Sequence, residues 1–190
     1  MKKRRVRLNQ LIYMFLKFTK YFRKYITSLV IKPDYIYIYL NKVNLLNLVC
    51  FLKLSSLFKF STLTDIWASD FPHRKKRFFI TYVFLSQEYS FRLFLRICVG
   101  AFESVPSLSF LYKSAAWLER EVWDMFGVFF TNNLDLRRIL TDYGFVGHPL
   151  RKDFPLTGYL ELRYEDSLKR IVYEPVEVSQ EFRFFYFNSP

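Results

Sequence analysis

Residues 77–99 have the sequence RFFITYVFLSQEYSFRLFLRICV. The runs at 77–86 and 91–99 are rich in β-branched and aromatic residues, which favour β-strands. Only the polar residues QEYS at 87–90 separate the two runs. A parallel return would need a crossover of about a dozen residues or more. The stretch therefore predicts an antiparallel pair of strands, around which the rest of the fold is organised.

Two further strands are predicted on the N-terminal side of this pair. YIYIYL at 35–40 alternates aromatic and β-branched residues, and FKFSTLTDIWAS at 58–69 is strand-like as well. The connection to the next strand, SDFPHRKK at 69–76, is polar and short. We therefore expect a four-stranded, mainly antiparallel sheet.

Two helices are expected to pack on that sheet. Apolar residues recur at helical spacing in VNLLNLVCFLKLSS at 43–56. A second helical stretch is predicted to open at Pro106 and to run through KSAAWLEREVWDMF at 113–126. Gly127, which follows, is a typical helix-ending residue. Helices packed against a mainly antiparallel sheet define an α+β fold.

The positive charge of the chain is concentrated at its N-terminus. Of the formal net charge of +12, residues 1–33 supply ten Lys and Arg and no acid, which leaves 12 − 10 = +2 for the remainder. This segment is predicted to be a basic N-terminal arm, which would contact an acidic partner, a membrane surface or solvent, or direct import into an organelle. Residues 34–140 then form the α+β domain.

The C-terminal residues 141–190 differ in character from the domain before them. They contain three of the five glycines and four of the seven prolines, yet they are rich in Phe, Tyr, Leu and Val. Frequent Gly and Pro interrupt regular structure, whereas disordered linkers are poor in apolar residues. We therefore predict an extended C-terminal tail that wraps around a partner subunit.

Several classes of protein and site are disfavoured by the sequence. No run of about 18 apolar residues, the length of a membrane-spanning helix, is present, because lysines and arginines interrupt residues 11–31. Cys50 and Cys98 lie in apolar surroundings without Cys-x-x-Cys spacing, and His73 and His148 are isolated. Zinc and iron–sulfur sites need more ligands at closer spacing. We expect no catalytic, metal or cofactor-binding residue in this chain.

The second predicted helix carries a cluster of charged residues. Its members are Glu119, Arg120, Glu121 and Asp124. Paired carboxylates can act as a general acid–base site if burial raises one pKa. The simpler interpretation is that they form helix ion pairs, such as Arg120 with Asp124, and contacts with the arginines of a later segment. Trp117 and Trp123 are predicted to face the core.

Two adjacent arginines, Arg137 and Arg138, lie between apolar residues. Guanidinium pairs can clamp a phosphate or a carboxylate. The nearby glycines, Gly144 and Gly147, lack the lysine and serine of a phosphate-binding loop. Ion pairing within the fold or with a partner is therefore the expected role of these arginines.

Three segments carry a resemblance to a known family: EREVWDMFGVFF at 119–130, DLRRILTDYGFVGHPLRKDFPLTGY at 135–159 and KRIVYEPVEVSQEFRFF at 169–185. From Tyr35 onward the chain is similar to the thirty-kilodalton core subunit of respiratory complex I, the proton-pumping NADH:ubiquinone oxidoreductase, of the mitochondrial type. The diagnostic motif residues are Glu119, Arg120, Glu121, Asp124 and Gly127. The family usually has His-Pro where this chain has Asn133-Leu134, which indicates a structural position.

The resemblance implies a non-catalytic subunit of the peripheral, matrix-facing arm, in the quinone-reducing module of the mitochondrial inner-membrane enzyme. FMN and the iron–sulfur clusters are then expected in other subunits. The implied partners are the subunit related to hydrogenase large subunits, the subunit that carries the terminal iron–sulfur cluster, and lineage-specific accessory subunits. A composition typical of AT-rich codons further indicates a gene in the mitochondrial genome.

By hypothesis, a set of tail and loop residues forms the partner interface. The apolar anchors are Leu150, Phe154, Leu156, Tyr159, Phe182 and Phe184. The charged residues expected to pair at the edges are Arg137, Arg138, Arg151, Asp153, Arg163 and Glu181.

Two other functions stay open at this point. The basic arm is compatible with an RNA- or ribosome-binding protein, because arginine-rich arms often bind nucleic acid. The resemblance makes nucleic acid an unlikely partner. A self-contained electron- or hydride-transfer enzyme would need a cofactor site of its own.

Overall fold

The computed structural model describes residues 13, 22–23, 25–32, 35–181, 183 and 185. The chain divides into two compact units, of which the first ends at Lys152 and the second begins at Asp153. Residues 141–152, which were assigned to the tail, thus belong to the first unit. Most of the expected basic arm, 1–33, lies outside the described residues.

The first unit is built on a five-stranded mixed sheet. Its strands are β1 (Ile26–Ile31), β2 (Tyr35–Leu40), β3 (Thr62–Asp70), β4 (Phe78–Ser86) and β5 (Phe91–Val99). They lie in the order β1-β2-β5-β4-β3, and β2 and β5 run parallel while the other neighbours are antiparallel.

The sheet confirms the α+β class and the antiparallel β4–β5 pair across QEYS, but a four-stranded, mainly antiparallel sheet is not exact. The additional strand β1 lies inside the segment expected to be arm. Ile26 and Leu29 pack against the core, although the lysines and arginines before them dominate the local composition. The meander β3–β4–β5 brings β5 beside β2, and the two strands run in the same direction.

The core lies between one face of this sheet and two helices, α1 (Leu45–Leu54) and α2 (Ala115–Phe126). In β2 every second residue is buried, so that Ile36 and Ile38 face the core. Buried residues of α1 and α2 belong to the same cluster. Each fully buried aliphatic or aromatic side chain contributes roughly 1.5–3 kcal/mol to stability.

The second helix begins later than the sequence indicated. Pro106 does not open a helix but lies in a two-residue strand, β6 (Val105–Pro106), which pairs parallel with β7 (Phe130–Thr131). The residues after it are held by α2 itself, because the Glu119 side chain binds the backbone of Leu108. The helix ends as predicted at Gly127, which adopts φ 73°.

Within the described residues, the second unit contains an antiparallel hairpin, formed by β8 (Leu160–Glu165) and β9 (Arg170–Pro175). Its turn contains Lys169 with φ 52°. This hairpin lies within the segment that was predicted to be an extended tail.

Candidate functional site

Asp124, near the C-terminal end of α2, organises the loop that follows β7. Its fully buried carboxylate accepts hydrogen bonds from the Arg138 guanidinium and the Thr141 hydroxyl, each at 2.7 Å. The backbone N–H groups of Ile139, Leu140 and Thr141 donate to its other oxygen at 2.8–3.1 Å. Burial alone would raise the pKa of Asp124, but these donors outweigh it and lower the pKa well below its ordinary value. The predicted contact between this helix and the later arginines is thereby confirmed.

The carbonyl groups at the C-terminal end of α2 are satisfied by residues 147–151. The His148 ring donates from Nδ1 to the Asp124 carbonyl at 2.9 Å, and the Leu150 N–H donates to the Met125 carbonyl at 3.1 Å. The Arg151 guanidinium donates to the Phe126 carbonyl at 2.6 Å. Helix ends leave such carbonyls without partners inside the helix. Residues 147–151 therefore cap α2.

The ring of His148 has a structural position in this cap. Burial lowers the pKa of His148, and the positive charges of Arg151 and Arg138 act in the same direction. The neutral ring keeps its proton on Nδ1, because a carbonyl oxygen can only accept. This geometry gives His148 a turn-stabilising position at the end of α2.

Glu119, five residues before Asp124 on α2, is a second buried carboxylate that accepts hydrogen bonds from loop residues. We call each of these two carboxylates, with its donors, a node. One carboxylate oxygen accepts from the Leu108 N–H at 2.7 Å, and the other accepts from the Ser107 hydroxyl at 2.6 Å and from the Asn133 amide at 2.9 Å. Burial raises the pKa of Glu119, although these hydrogen bonds oppose the shift. Asn133 thus holds this carboxylate in place.

The two buried carboxylates are separate structural nodes. Among the described residues, the donors to Glu119 and the donors to Asp124 have no member in common. The sequence had indicated an ion pair between Arg120 and Asp124. Arg120 instead donates to the carbonyls of Arg137 and Arg138 at 3.1 and 3.4 Å. The arrangement favours loop anchoring over paired acid–base chemistry.

The other motif residues differ in exposure. Glu121 is exposed, in agreement with the expectation that it faces away from Glu119. Trp123 packs against the core as predicted, whereas the prediction for Trp117 is wrong, because its ring is 63% exposed. The Arg120 guanidinium lies 4.7 Å from the centre of the Trp117 ring and shields one face of it.

The residues predicted to contact a partner are distributed over both units. Leu150, Leu156 and Tyr159 are 54%, 81% and 63% exposed. Phe154 is half-buried and packs edge-on against Tyr159 at 5.4 Å. The outermost pair of predicted anchors, Phe182 and Phe184, lies outside the described residues.

The charged members of the predicted interface are largely engaged within the chain. Arg138 and Arg151 hold the loops around α2, as described above. Arg137 is exposed and pairs with Asp135 at 3.1 Å. The remaining acids, Asp153 and Glu181, are exposed.

The hairpin of the second unit has an apolar face that sequence reasoning missed. Cross-strand partners share a face, so the register Leu160–Pro175, Leu162–Tyr173 and Tyr164–Ile171 puts six apolar residues side by side. All six are exposed, the five other than Pro175 by 52–65%. On the opposite face Arg163 binds Glu165 and Glu174 at 2.6–2.9 Å. The strict alternation in LELRYE was the signal that could have revealed this strand.

The described residues offer no candidate for a membrane-spanning helix or a metal site. They contain no helix that is both long and apolar enough to span a membrane. They also contain no cluster of three or more His, Cys, Asp or Glu side chains that could hold a metal ion.

Comparison with known proteins gives a consistent result. The model of the family described as the 30 kDa subunit of respiratory-chain NADH dehydrogenase matches residues 38–160. NADH-ubiquinone oxidoreductase subunit 9 of Acanthamoeba castellanii is 50% identical over 96% of this chain and 94% of its own length. NADH dehydrogenase [ubiquinone] iron-sulfur protein 3 of Beta vulgaris is 56% identical over 77% and 76%.

A solved structure shares the fold. The trypsin-resistant fragment of the protein Nqo5 superposes with a TM-score of 0.57 at 24% identity, over 66% of this chain and 99% of the fragment. At this level of identity the similarity concerns the fold alone.

Proposed function

The chain belongs to the family of the 30 kDa subunit of respiratory-chain NADH dehydrogenase, and from this premise we propose that it is a non-catalytic scaffold of the quinone-reducing module of complex I. At the coarser level it is a peripheral subunit of the mitochondrial NADH:ubiquinone oxidoreductase, which couples electron transfer from NADH to ubiquinone to proton translocation. We place it on the matrix side and its gene in the mitochondrial genome.

The proposal of a non-catalytic role is supported by what the motif residues do. Glu119 and Asp124 are the buried carboxylates of the family motif, and their oxygens are engaged by neighbouring loops. A general acid or base must instead reach the reacting group of a substrate. We infer that the motif shapes the surface of the first unit, and that redox chemistry takes place in neighbouring subunits.

The cysteines of the chain also support the proposal that redox chemistry takes place in neighbouring subunits. An iron–sulfur cluster is usually held by four cysteines, and this chain has two. Cys50 lies on α1 and Cys98 on β5. These residues do not fit a cluster site, and we propose that FMN and the clusters of the complex are bound by other chains.

The observation that carries the scaffolding proposal is the exposed apolar face of the hairpin. A two-stranded hairpin is only marginally stable in water, and stable hairpins pack on further strands or a helix. A hairpin with one face of Leu, Tyr, Ile and Pro is therefore expected to be covered in the assembled enzyme. We propose that the covering surface belongs to the subunit related to hydrogenase large subunits, beside the subunit with the terminal iron–sulfur cluster.

Apolar-to-acid substitution on this face tests the proposal. In the full chain, Leu162→Asp combined with Tyr173→Asp puts two carboxylates at the centre of the face. Central apolar anchors contribute about 2 kcal/mol or more to binding, so we expect at least a tenfold loss of the chain from complex I. The readout is native gel electrophoresis with mass spectrometry of the co-purified subunits, together with NADH:quinone activity.

Val172→Asp is the matched control, because Val172 lies on the same strand but on the polar face. It introduces one of the two carboxylates of the test variant, with the loss of strand propensity of one such substitution, on the opposite face of the hairpin. Normal assembly of both variants would contradict the proposal, and so would equal loss of both. Recovery of the unmodified chain with ribosomal proteins would favour the RNA-binding alternative.

A further inference from the structure

The five-stranded sheet has a second face, opposite to the helices, that the proposed function does not use. Both helices pack on the face of Ile36 and Ile38. Strand register places every alternate residue on the other side, which we call the outer face. At its centre Tyr37 of β2, Phe94 of β5 and Val83 of β4 lie in one row across the strands.

The aromatic side chains of the outer face pack on one another. The Tyr37 and Phe94 rings are stacked with centroids 4.6 Å apart, and Trp67 of β3 meets Phe94 edge-on at 6.0 Å. Tyr37, Phe94 and Trp67 are only half-buried in spite of these contacts. The centre of the outer face is therefore an ordered and partly exposed apolar surface.

Arginines bracket this apolar centre along the strands. Arg92 and Arg96 project from β5 on either side of Phe94, since both are two residues away from it. The Arg96 guanidinium lies over the Tyr37 and Tyr39 rings at 5.4 and 5.6 Å, and Arg92 is exposed.

One end of the outer face adds a cation, whereas its edge carries an acid. Beyond Arg96, Arg74 lies 5.1 Å from the centre of the Phe79 ring. An acid, Asp65, lies opposite Val83 on the edge strand β3, where its carboxylate accepts the N–H of Ile66 at 2.8 Å. The central strand β5 thus presents Arg92 and Arg96 on this face. The residues that pair with them on the adjacent strands β2 and β4 are not acids.

From this charge pattern we propose that the outer face docks an acidic amphipathic helix of another protein chain. The distance from β2 to β3 spans three strand spacings, roughly 14 Å, which suits a helix of about 10–12 Å diameter. Its apolar stripe covers Tyr37, Phe94 and Trp67. Its Asp and Glu side chains meet Arg92 and Arg96.

Other occupants fit the charge and geometry less well. Residues 1–25, which precede β1, carry nine Lys and Arg and no acid, so their charge does not complement the arginines of the outer face. A second copy that paired through the same face would put arginine against arginine. Single-stranded RNA needs free ring faces for base stacking, whereas the Tyr37 ring is covered by Phe94 and Arg96.

The test uses the tagged full chain, purified with its companions, with photoreactive benzoyl-phenylalanine in place of Tyr35 at the edge of the outer face. We expect one crosslinked peptide from another protein, with acids at helical spacing. In the same chain Arg92→Glu should reduce this adduct at least about tenfold, because like charges then face each other. Arg92→Lys and the surface control Lys113→Glu should retain it.

Several outcomes would overturn the proposal: an adduct with RNA, lipid, a second copy or residues 1–25, no adduct, or an adduct that Arg92→Glu does not reduce. Thermal unfolding of the isolated Arg92→Glu chain checks that the variant is folded, as its exposed position predicts. The subunits bound through the hairpin of the second unit should stay with this variant. Failure here is thereby distinguished from failure of the scaffolding proposal.

Discussion

The first unit and the hairpin of the second unit use the same chemical groups in opposite ways. Asp124 and Arg138 pair inside the first unit, where the carboxylate is fully buried and five donors surround it. Arg163 pairs with Glu165 and Glu174 on an exposed hairpin face. A buried pair that loses one partner is strongly destabilised, whereas exposed pairs contribute little.

The difference teaches where each unit obtains its stability. The first unit is held by a continuous apolar core and by carboxylates that fix its loops. The hairpin has exposed side chains along both strands, and the side chains of its apolar face are exposed. This difference predicts that the first unit is stable by itself and that the second is stabilised by a partner.

The largest expected effect on this comparison comes from Asp124→Asn. The new NH2 group would face donors only, so the buried network would lose the negative charge and one of its two acceptor oxygens. We expect a loss of about 3–5 kcal/mol in the free energy of unfolding, measured by urea denaturation of the isolated chain. Asp142→Asn in the neighbouring exposed turn is the control. A loss below 1 kcal/mol for Asp124→Asn would mean that the node does not hold the first unit together.

A second expected effect concerns the helix end at Gly127. Gly127 and Gly144 both have positive φ, 73° and 71°, but a methyl group on Gly127 would overlap the Arg151 guanidinium and the His148 ring. A methyl group on Gly144 meets nothing within 4 Å. Gly144→Ala should therefore show backbone strain alone, about 1–2 kcal/mol, and Gly127→Ala a larger loss. Equal losses in thermal unfolding would contradict the capping role of residues 147–151.

In the second unit, Phe154→Asp should change assembly without changing the stability of the first unit. Phe154 packs on Tyr159 near the base of the hairpin. We expect at least about a tenfold loss of complex I subunits recovered with the chain, and an unchanged unfolding midpoint of the first unit. Phe182→Asp is expected to act in the same direction. Full assembly of both variants would refute the idea of an anchored tail.

The smallest expected effect concerns Glu119, within a pH dependence of stability to which the two buried carboxylates contribute with opposite sign. The lowered pKa of Asp124 contributes stability that is present above about pH 4 and is lost as the pH falls. The raised pKa of Glu119 acts with the opposite sign, because the folded state keeps its proton to higher pH and stability falls as the pH rises above about 4.5.

Glu119→Gln should remove only the second of these slopes. Ser107 and Asn133 can reorient to accept from the new amide, so the cost near pH 4 should be small, within about 1 kcal/mol. Urea denaturation at pH 3, 4.5 and 7 measures both slopes. A slope above pH 4.5 that persists in Glu119→Gln would assign it to another group.

The sequence predicted elements that depend on local pattern. The β4–β5 hairpin followed from two strand-like runs and a short polar link, and the end of α2 followed from Gly127. The strand β1 was missed because neighbouring basic residues outweighed its short apolar run. Pro106 was misassigned because its position is decided by pairing with β7, which is distant in sequence.

The candidate site was predictable in part. Clustering on one helix singled out Glu119 and Asp124, but only the fold shows that each carboxylate binds a different loop. The exposure of Trp117 depends on which side of α2 meets the core, and periodicity alone did not settle it. The apolar hairpin face was present in the alternation of LELRYE, but the prediction of an extended tail obscured it.

Amide hydrogen exchange tests the central claim, that the hairpin is stabilised by a partner, most directly. Exchange at 160–175 is compared between the isolated chain and the purified complex, with β4 as the slowly exchanging internal reference. The account predicts fast exchange of the hairpin in the isolated chain and protection by at least about two orders of magnitude in the complex. Equal exchange of the hairpin in the two samples, with β4 protected in both, would contradict it.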